Sequence, residues 1–441
     1  MRTLFAALAV AAVLLVPLGL MGTASAAHTS RDLTTVVIGP VSTDRFGGGD
    51  VVAVKAGDAL FGVRYGTTNH LNDVVIFAEY KRFLGGAEIV DAQGNLLATR
   101  GIPVYTVLGQ SLSHFIEFRP VNVSDGYDLT SLDRHLPPLT VNLPVKAISL
   151  VTAWQLRDLT NETVDGITYV NFTVFATDLR YAHIMDNTSL GDRMLNLVAF
   201  TFHLTVDVRE RSARIPWYRV IVDDGNRYGI ERVEFLGYRN VTGPTIAMGA
   251  KYDHRIEGWD FAYPEDRLAL VTQLIVGNYI PERTAEFLHS TLLRERADNG
   301  TGHELGDART LNETDRVHPE LYTRDRVYFD DDYTRIGRFE WATNVTVDGN
   351  PATMTFDLQG GGRLQLRHGD AYFVGFWLRG AFVYPAGQVI VHDPVMSTES
   401  LLDLPSAVNL TPLTILAAQL AVVAIAVGPA LYLRAKARRK N

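Results

Sequence analysis

The chain has 441 residues, a formal net charge of −8 and no cysteine. Without cysteine there are no disulfides, thiolate nucleophiles, zinc–thiolate sites, iron–sulfur clusters or blue copper. Setting aside Arg2 and the five bases of the C-terminal tail leaves 35 Lys+Arg against 49 Asp+Glu, a net of −14 that repels nucleic acid and anionic lipid.

Met1-Arg2-Thr3 is a short basic region, residues 4–20 are apolar, and Ala24-Ser25-Ala26 fits a signal-peptidase site. The pattern predicts a secretory signal peptide over 1–26. Short strand-like runs follow at 51–54, 60–65, 74–80, 87–90, 96–99, 104–108 and 114–118. Their spacing of about ten residues, with Gly-rich turns, is the rhythm of a β-sandwich and predicts an N-terminal β domain over 27–120.

Pro120, Pro137, Pro138 and Pro144 break that rhythm, so 121–145 reads as a linker or crossover. A main β-sandwich domain is expected over 146–396. In the run 168–177, Val170, Phe172, Val174 and Ala176 share one face and Asn171 the other. In 201–209, Phe202, Leu204, Val206 and Val208 alternate with Thr201, His203, Thr205 and Asp207. Asn161-x-Thr-Val-Asp-Gly recurs at Asn344-x-Thr-Val-Asp-Gly, each after a tryptophan (Trp154, Trp341) and each before a strand ending in Asp-Leu. Asp-Gly favours a tight hairpin with positive φ, so the repeat predicts two equivalent hairpins with the tryptophans in the core.

One short helix is expected over 281–297. Pro281 suits the first position, Glu282 and Glu286 lie near the positive end of its dipole, and Ala285, Leu288 and Leu292 form a stripe. Residues 298–325 read as an acidic exposed loop, and 397–412 as a stalk to the membrane. Residues 413–433 carry no charge and are followed at once by Arg434, Lys436, Arg438, Arg439 and Lys440. At about 1.5 Å per residue this run crosses a hydrocarbon core of about 30 Å. The bases keep the tail 434–441 in the cytoplasm and place the rest outside, a type I single-pass arrangement. The fold class expected is therefore all-β: a large β-sandwich ectodomain of one or two sandwiches, one short helix, and a single C-terminal transmembrane helix.

Nine N-x-S/T sequons occur among eighteen asparagines, where chance placement gives roughly an eighth. Glycosylation is expected at Asn122, Asn161, Asn171, Asn187, Asn240, Asn299, Asn312 and Asn344, and not at Asn409, which lies against the membrane. Sequon excess without cysteine fits a prokaryotic, archaeal-type cell surface.

Chemistry-bearing motifs are few. Asp330-Asp331-Asp332 with Asp325 offers oxygen ligands of the kind calcium takes, without the EF-hand spacing; a solvated acidic turn is the alternative. No other cofactor is implied. His303-Glu304-Leu305-Gly306-Asp307 departs from the zinc-peptidase pattern in its last residue, and its glycines disfavour the helix that site requires. In Tyr252 to Asp260, the residues Asp253, Arg255, Glu257 and Trp259 fall on one strand face and His254 on the other. The first set reads as a surface charge network. The expected role is structural, adhesive or partner-binding, toward other surface proteins or glycans. A membrane-tethered carbohydrate-active enzyme is the alternative and requires a cleft holding two carboxylates about 5–10 Å apart.

Overall fold

The computed structural model describes residues 34–40, 48–122, 140–183, 194–222, 230–281, 309–310, 326–330, 335–368 and 371–401. Among these every regular element is a strand, so the described fold is all-β. The first half holds β1 (Thr35–Pro40), β2 (Asp50–Ala56), β3 (Ala59–Tyr65), β4 (Val74–Val90), β5 (Leu96–Asn122), β6 (Thr140–Ser149), β7 (Gln155–Val164), β8 (Ile167–Arg180) and β9 (Ala182–His183). The long pair β10 (Met194–Val222) and β11 (Ile230–Glu257) follows, then β12 (Arg267–Pro281), β13 (Arg309–Thr310), β14 (Arg326–Asp330) and β15 (Arg335–Glu340). The last strands are β16 (Asn344–Val347), β17 (Asn350–Thr353), β18 (Thr355–His368), β19 (Ala371–Pro385), β20 (Val389–His392) and β21 (Val395–Leu401). The signal peptide, the helix expected beyond Pro281, the apolar run 413–433 and the basic tail lie outside the described residues. Pro281 itself ends β12. Among the described residues no helix is long and apolar enough to cross a membrane.

The strands form two layers around one core. The first layer runs β1-β2-β3-β4-β5-β12-β19-β18, antiparallel throughout. The second runs β7-β8-β10-β11, with β20 and β21 end to end along the far side of β11. Between them lies a single apolar cluster that includes Val54, Phe61, Ile76 and Leu108 from the first layer and Phe172, Phe200, Phe202 and Leu204 from the second. The alternation in β8 and β10 explains the second layer's half. Val170, Phe172, Val174 and Ala176 are buried, as are Phe202, Leu204 and Val206, while Thr201, His203, Thr205 and Asp207 are partly exposed. Phe172 and Phe202 stack with centroids 5.2 Å apart. Each such ring, fully buried, contributes roughly 2–3 kcal/mol.

The segment 121–145 returns the chain to the same layer, because residues 140–145 open β6, which pairs with the end of β5. Pro144 is tolerated there because the ladder slips between Glu117 and Phe118, opposite it. Strands from before and after this segment are neighbours: β5 is hydrogen-bonded to β12 from Tyr105↔Tyr279 to Phe118↔Arg267.

Both repeated hairpins are present. Asp165 and Gly166 have φ of 52° and 79°, and Asp348 and Gly349 have 51° and 79°. Trp154 lies 5.4 Å from Phe200 and Trp341 lies 4.4 Å from Phe356, both buried in the shared core. The spacing from the tryptophan to Asp-Gly is four residues shorter in the second repeat than in the first. An even difference keeps the same side chains facing inward. Replacing Gly349 by valine should cost about 1–3 kcal/mol, read as a lower denaturant midpoint, because a β-branched residue is strained at positive φ. An unchanged midpoint would mean the turn can adopt another form.

The two longest hairpins outrun the layers. Beyond Asp207, where the ladder to β8 stops, β10 and β11 stay paired as far as Val222↔Ile230. There Trp217–Ile221 of β10 pairs in parallel with Gly86–Val90 of β4, the one parallel ladder among the described strands. The result is a four-stranded blade in the order β5-β4-β10-β11. Gly86 makes the contact feasible: a Cβ on it would sit 2.2 Å from the Trp217 ring. The Arg239 guanidinium covers that ring at 4.6 Å.

Candidate functional site

The inward face of β11 carries the fold's polar chemistry. Tyr252, His254 and Ile256 point into the core, and each of the first two reaches the opposite layer. Gln110 of β5 donates from Nε2 to the Tyr252 hydroxyl at 2.6 Å and to Thr272 Oγ1 at 3.0 Å. His254 lies directly opposite His392 of β20 in the ladder. Tyr384, from β19 in the other layer, places its hydroxyl 2.6 Å from His254 Nε2 and 3.1 Å from His392 Nδ1.

The proton arrangement follows from the far end. His392 Nε2 lies 2.7 Å from the Ala342 carbonyl, which only accepts, so Nε2 carries the proton. Burial lowers the His392 imidazole to about 4, so the ring is neutral and its Nδ1 accepts from the Tyr384 hydroxyl. The Tyr384 oxygen then accepts from His254 Nε2–H. Among the described residues, His254 Nδ1 has no hydrogen-bond partner. Burial, reinforced by His392, also pushes His254 well below the ordinary range, and burial pushes Tyr384 well above it. A neutral, enclosed string of this kind ties two layers together and does not present a base to substrate.

A second buried cluster closes the end of the core where the chain crosses from β11 to β12. Glu117 accepts from Trp259 Nε1–H at 2.7 Å and from the Ala262 amide at 2.9 Å. Lys146 Nζ lies 3.2 Å from Glu117 Oε2, donates to the Asp260 carbonyl, and sits 4.7 Å from the Tyr181 ring centre. Asp266 takes both arms of Arg119, at 2.9 and 3.2 Å. Glu117, Lys146 and Asp266 are all shielded from water. Burial raises the Glu117 carboxyl, aided by the neighbouring Asp266 carboxyl and opposed by Ala262 N–H, Trp259 and Lys146. Two carboxylates therefore meet, but shielded from water and already bonded.

The position of Trp259 corrects the strand-face reading. β11 ends at Glu257, and Gly258 at φ 78° turns the chain, so Trp259 enters the core instead of joining the charged face. The remaining charges do form a surface network: Arg255 pairs with Glu257, and Lys251 lies 3.6 Å from Asp253 and 3.2 Å from Asp393. His203 extends it, with Nε2 3.4 Å from Asp253 and Nδ1 2.8 Å from the Asn171 side-chain oxygen.

Of the expected calcium ligands, Asp330 ends β14, and Asp325, Asp331 and Asp332 lie outside the described residues. No group of three or more metal-ligating side chains occurs among the described residues. Asn161, Asn240 and Asn344 are exposed, and Asn171 is partly buried beside His203. Asn122 ends β5, and Asn187, Asn299, Asn312 and the His303–Asp307 motif lie outside the described residues. Comparison with known protein families finds no match, and comparison with curated proteins finds none either.

Proposed function

We propose that the chain is a membrane-anchored cell-surface glycoprotein of a prokaryotic, archaeal-type envelope, with a structural, adhesive or partner-binding role. Its β-sandwich ectodomain stands outside the cell on a single helix formed by residues 413–433. The observation that carries the reading is the abrupt junction between that uncharged run and the five bases after it. The core supports it: its buried carboxylates and imidazoles are tied across the layers, as suits a load-carrying scaffold more than a catalyst. Exposed sequons at Asn161, Asn240 and Asn344 fit a glycosylated surface.

Protease added to intact cells should remove the ectodomain and leave a small membrane-bound C-terminal fragment. The sequon variant Asn344→Gln should lose one glycan's mass and keep its denaturant midpoint. Full protection of residues 27–406 in intact cells would exclude this arrangement.

A further inference from the structure

The blade offers apolar side chains to solvent. Leu96 and Leu97 are 61% and 57% exposed, and Phe235 and Tyr238 are 40% and 51% exposed. The leucines do not hang from a slack loop. Asp91 accepts from the Gln93 amide at 3.0 Å, the Asn95 amide at 2.7 Å and the Asn95 side chain at 2.8 Å, which fixes the β4/β5 tip. Those donors hold the Asp91 carboxyl below its usual range, the Asn95 side chain contributing most. Phe235 packs against Tyr218 and Tyr238, at 5.6 and 5.4 Å. Residues 83–104 and 213–241 together hold six arginines and six carboxylates, so the blade is neutral where the ectodomain as a whole carries −14.

The chain leaves the layers toward this blade. β21 runs along β11 from Lys251↔Val395 to Thr245↔Leu401, heading for the end of β11 that lies in the blade. Along the strand, Phe235 is roughly 33 Å beyond Thr245, and Leu96, level with Ile221 and Arg232, roughly 43 Å beyond. Residues 402–412, fully extended, reach at most about 40 Å. The tether to the apolar run is thus no longer than the blade beside it.

Resting on the anchored reading above, we propose that the blade lies against the lipid bilayer that holds residues 413–433. Leu96 and Leu97 enter the boundary between headgroups and acyl chains, and Phe235 and Tyr238 sit at headgroup level, where aromatic rings partition. Neutrality spares the blade the repulsion that anionic lipid exerts on the rest of the ectodomain. A helix and a blade give two attachments, which fix how the sandwich is presented.

A cysteine-free chain allows one label per molecule. Single cysteines at Thr99 beside the leucines, at Asn350 at the opposite end of the layers, and at Ala424 within the apolar run would each carry bimane. The full chain would be reconstituted in phosphatidylcholine–phosphatidylglycerol vesicles containing a spin-labelled lipid quencher. Quenching at position 99 should exceed that at position 350 several-fold, and Leu96→Asp with Leu97→Asp should abolish the difference. Quenching at 424 with position 99 no different from 350 would overturn the docking and leave the anchor standing. Absence of quenching at 424 would defeat the anchored reading itself. Excimer formation between labels at 99, with protection from the lipid quencher, would assign the blade to a second copy and overturn the proposal.

Discussion

Replacing Lys146 by methionine should destabilise the protein by about 3–5 kcal/mol, measured from the denaturant midpoint at neutral pH. The ammonium group is buried beside Glu117 at 3.2 Å, and its removal leaves that carboxylate in the core without its countercharge. The backbone should tolerate the change, since methionine fills most of the lysine stem's volume. Pairing Lys146→Met with Glu117→Gln should recover part of the loss, because no charge remains stranded, while the single amide oxygen can serve only one of the two donors, Trp259 Nε1–H and the Ala262 N–H. A single variant that loses less than about 1 kcal/mol would mean that Glu117 already holds a proton in the native state.

The second large effect is acid sensitivity from the imidazole string. His392 is held at about 4 in the folded state by burial, against roughly 6.5 when unfolded. Between those values the unfolded chain binds the extra proton. The His392 contribution is therefore complete above pH 6.5 and is lost as pH falls toward 4, by about 3 kcal/mol in all. His254, lowered further in the same direction, adds to the same window. Buried carboxyl groups act oppositely: Asp73 is pushed up to about 6 by burial, against the pull of Arg64, so its contribution is lost as pH rises from its unfolded value through 6. Wild-type slopes thus mix both signs, and a variant must separate them. His392→Gln keeps a donor for the Ala342 carbonyl and an acceptor for Tyr384 but does not titrate. The stability difference between pH 7 and pH 5 should shrink by about 2 kcal/mol in this variant. An unchanged difference would show that His392 titrates alike in both states.

The sequence was most readable where physics is local. Asp-Gly pairs announced the turns at 165–166 and 348–349, and alternation announced the inward faces of β8 and β10. It read poorly where strands were long. β4, β5, β10 and β11 span 17, 27, 29 and 28 residues, but the sequence breaks each into short runs. Gly85-Gly86, Pro103 and Pro216 interrupt the alternation, and the partner strand carries the ladder through those interruptions. Trp259 was misplaced because one glycine at positive φ overrides strand parity.

The polar ties escaped for another reason. Gln110, Glu117, Lys146, Tyr252, His392 and Tyr384 are scattered along the chain, and no spacing links them. A weaker signal was present: Gln110 falls at inward parity between Leu108 and Leu112, and His254 between Tyr252 and Ile256. A polar residue at a core position of an apolar strand calls for a partner in the facing layer.

The tie between His254 and Tyr384 has a consequence for the timing of folding. These partners are 130 positions apart in the chain, and those of Gln110 and Tyr252 are 142 apart. A nascent chain cannot complete β11's surroundings until β19 and β20 have emerged. Until then the His254 side of β11 lacks Phe382, Tyr384 and His392, which pack against it in the finished fold. Topologies of such high contact order fold slowly, in milliseconds to seconds or longer, and their waiting intermediates are prone to aggregation. Expression is therefore expected to depend on holding the first 370 or so residues unaggregated, and truncations before β19 should yield insoluble chains rather than smaller folded domains.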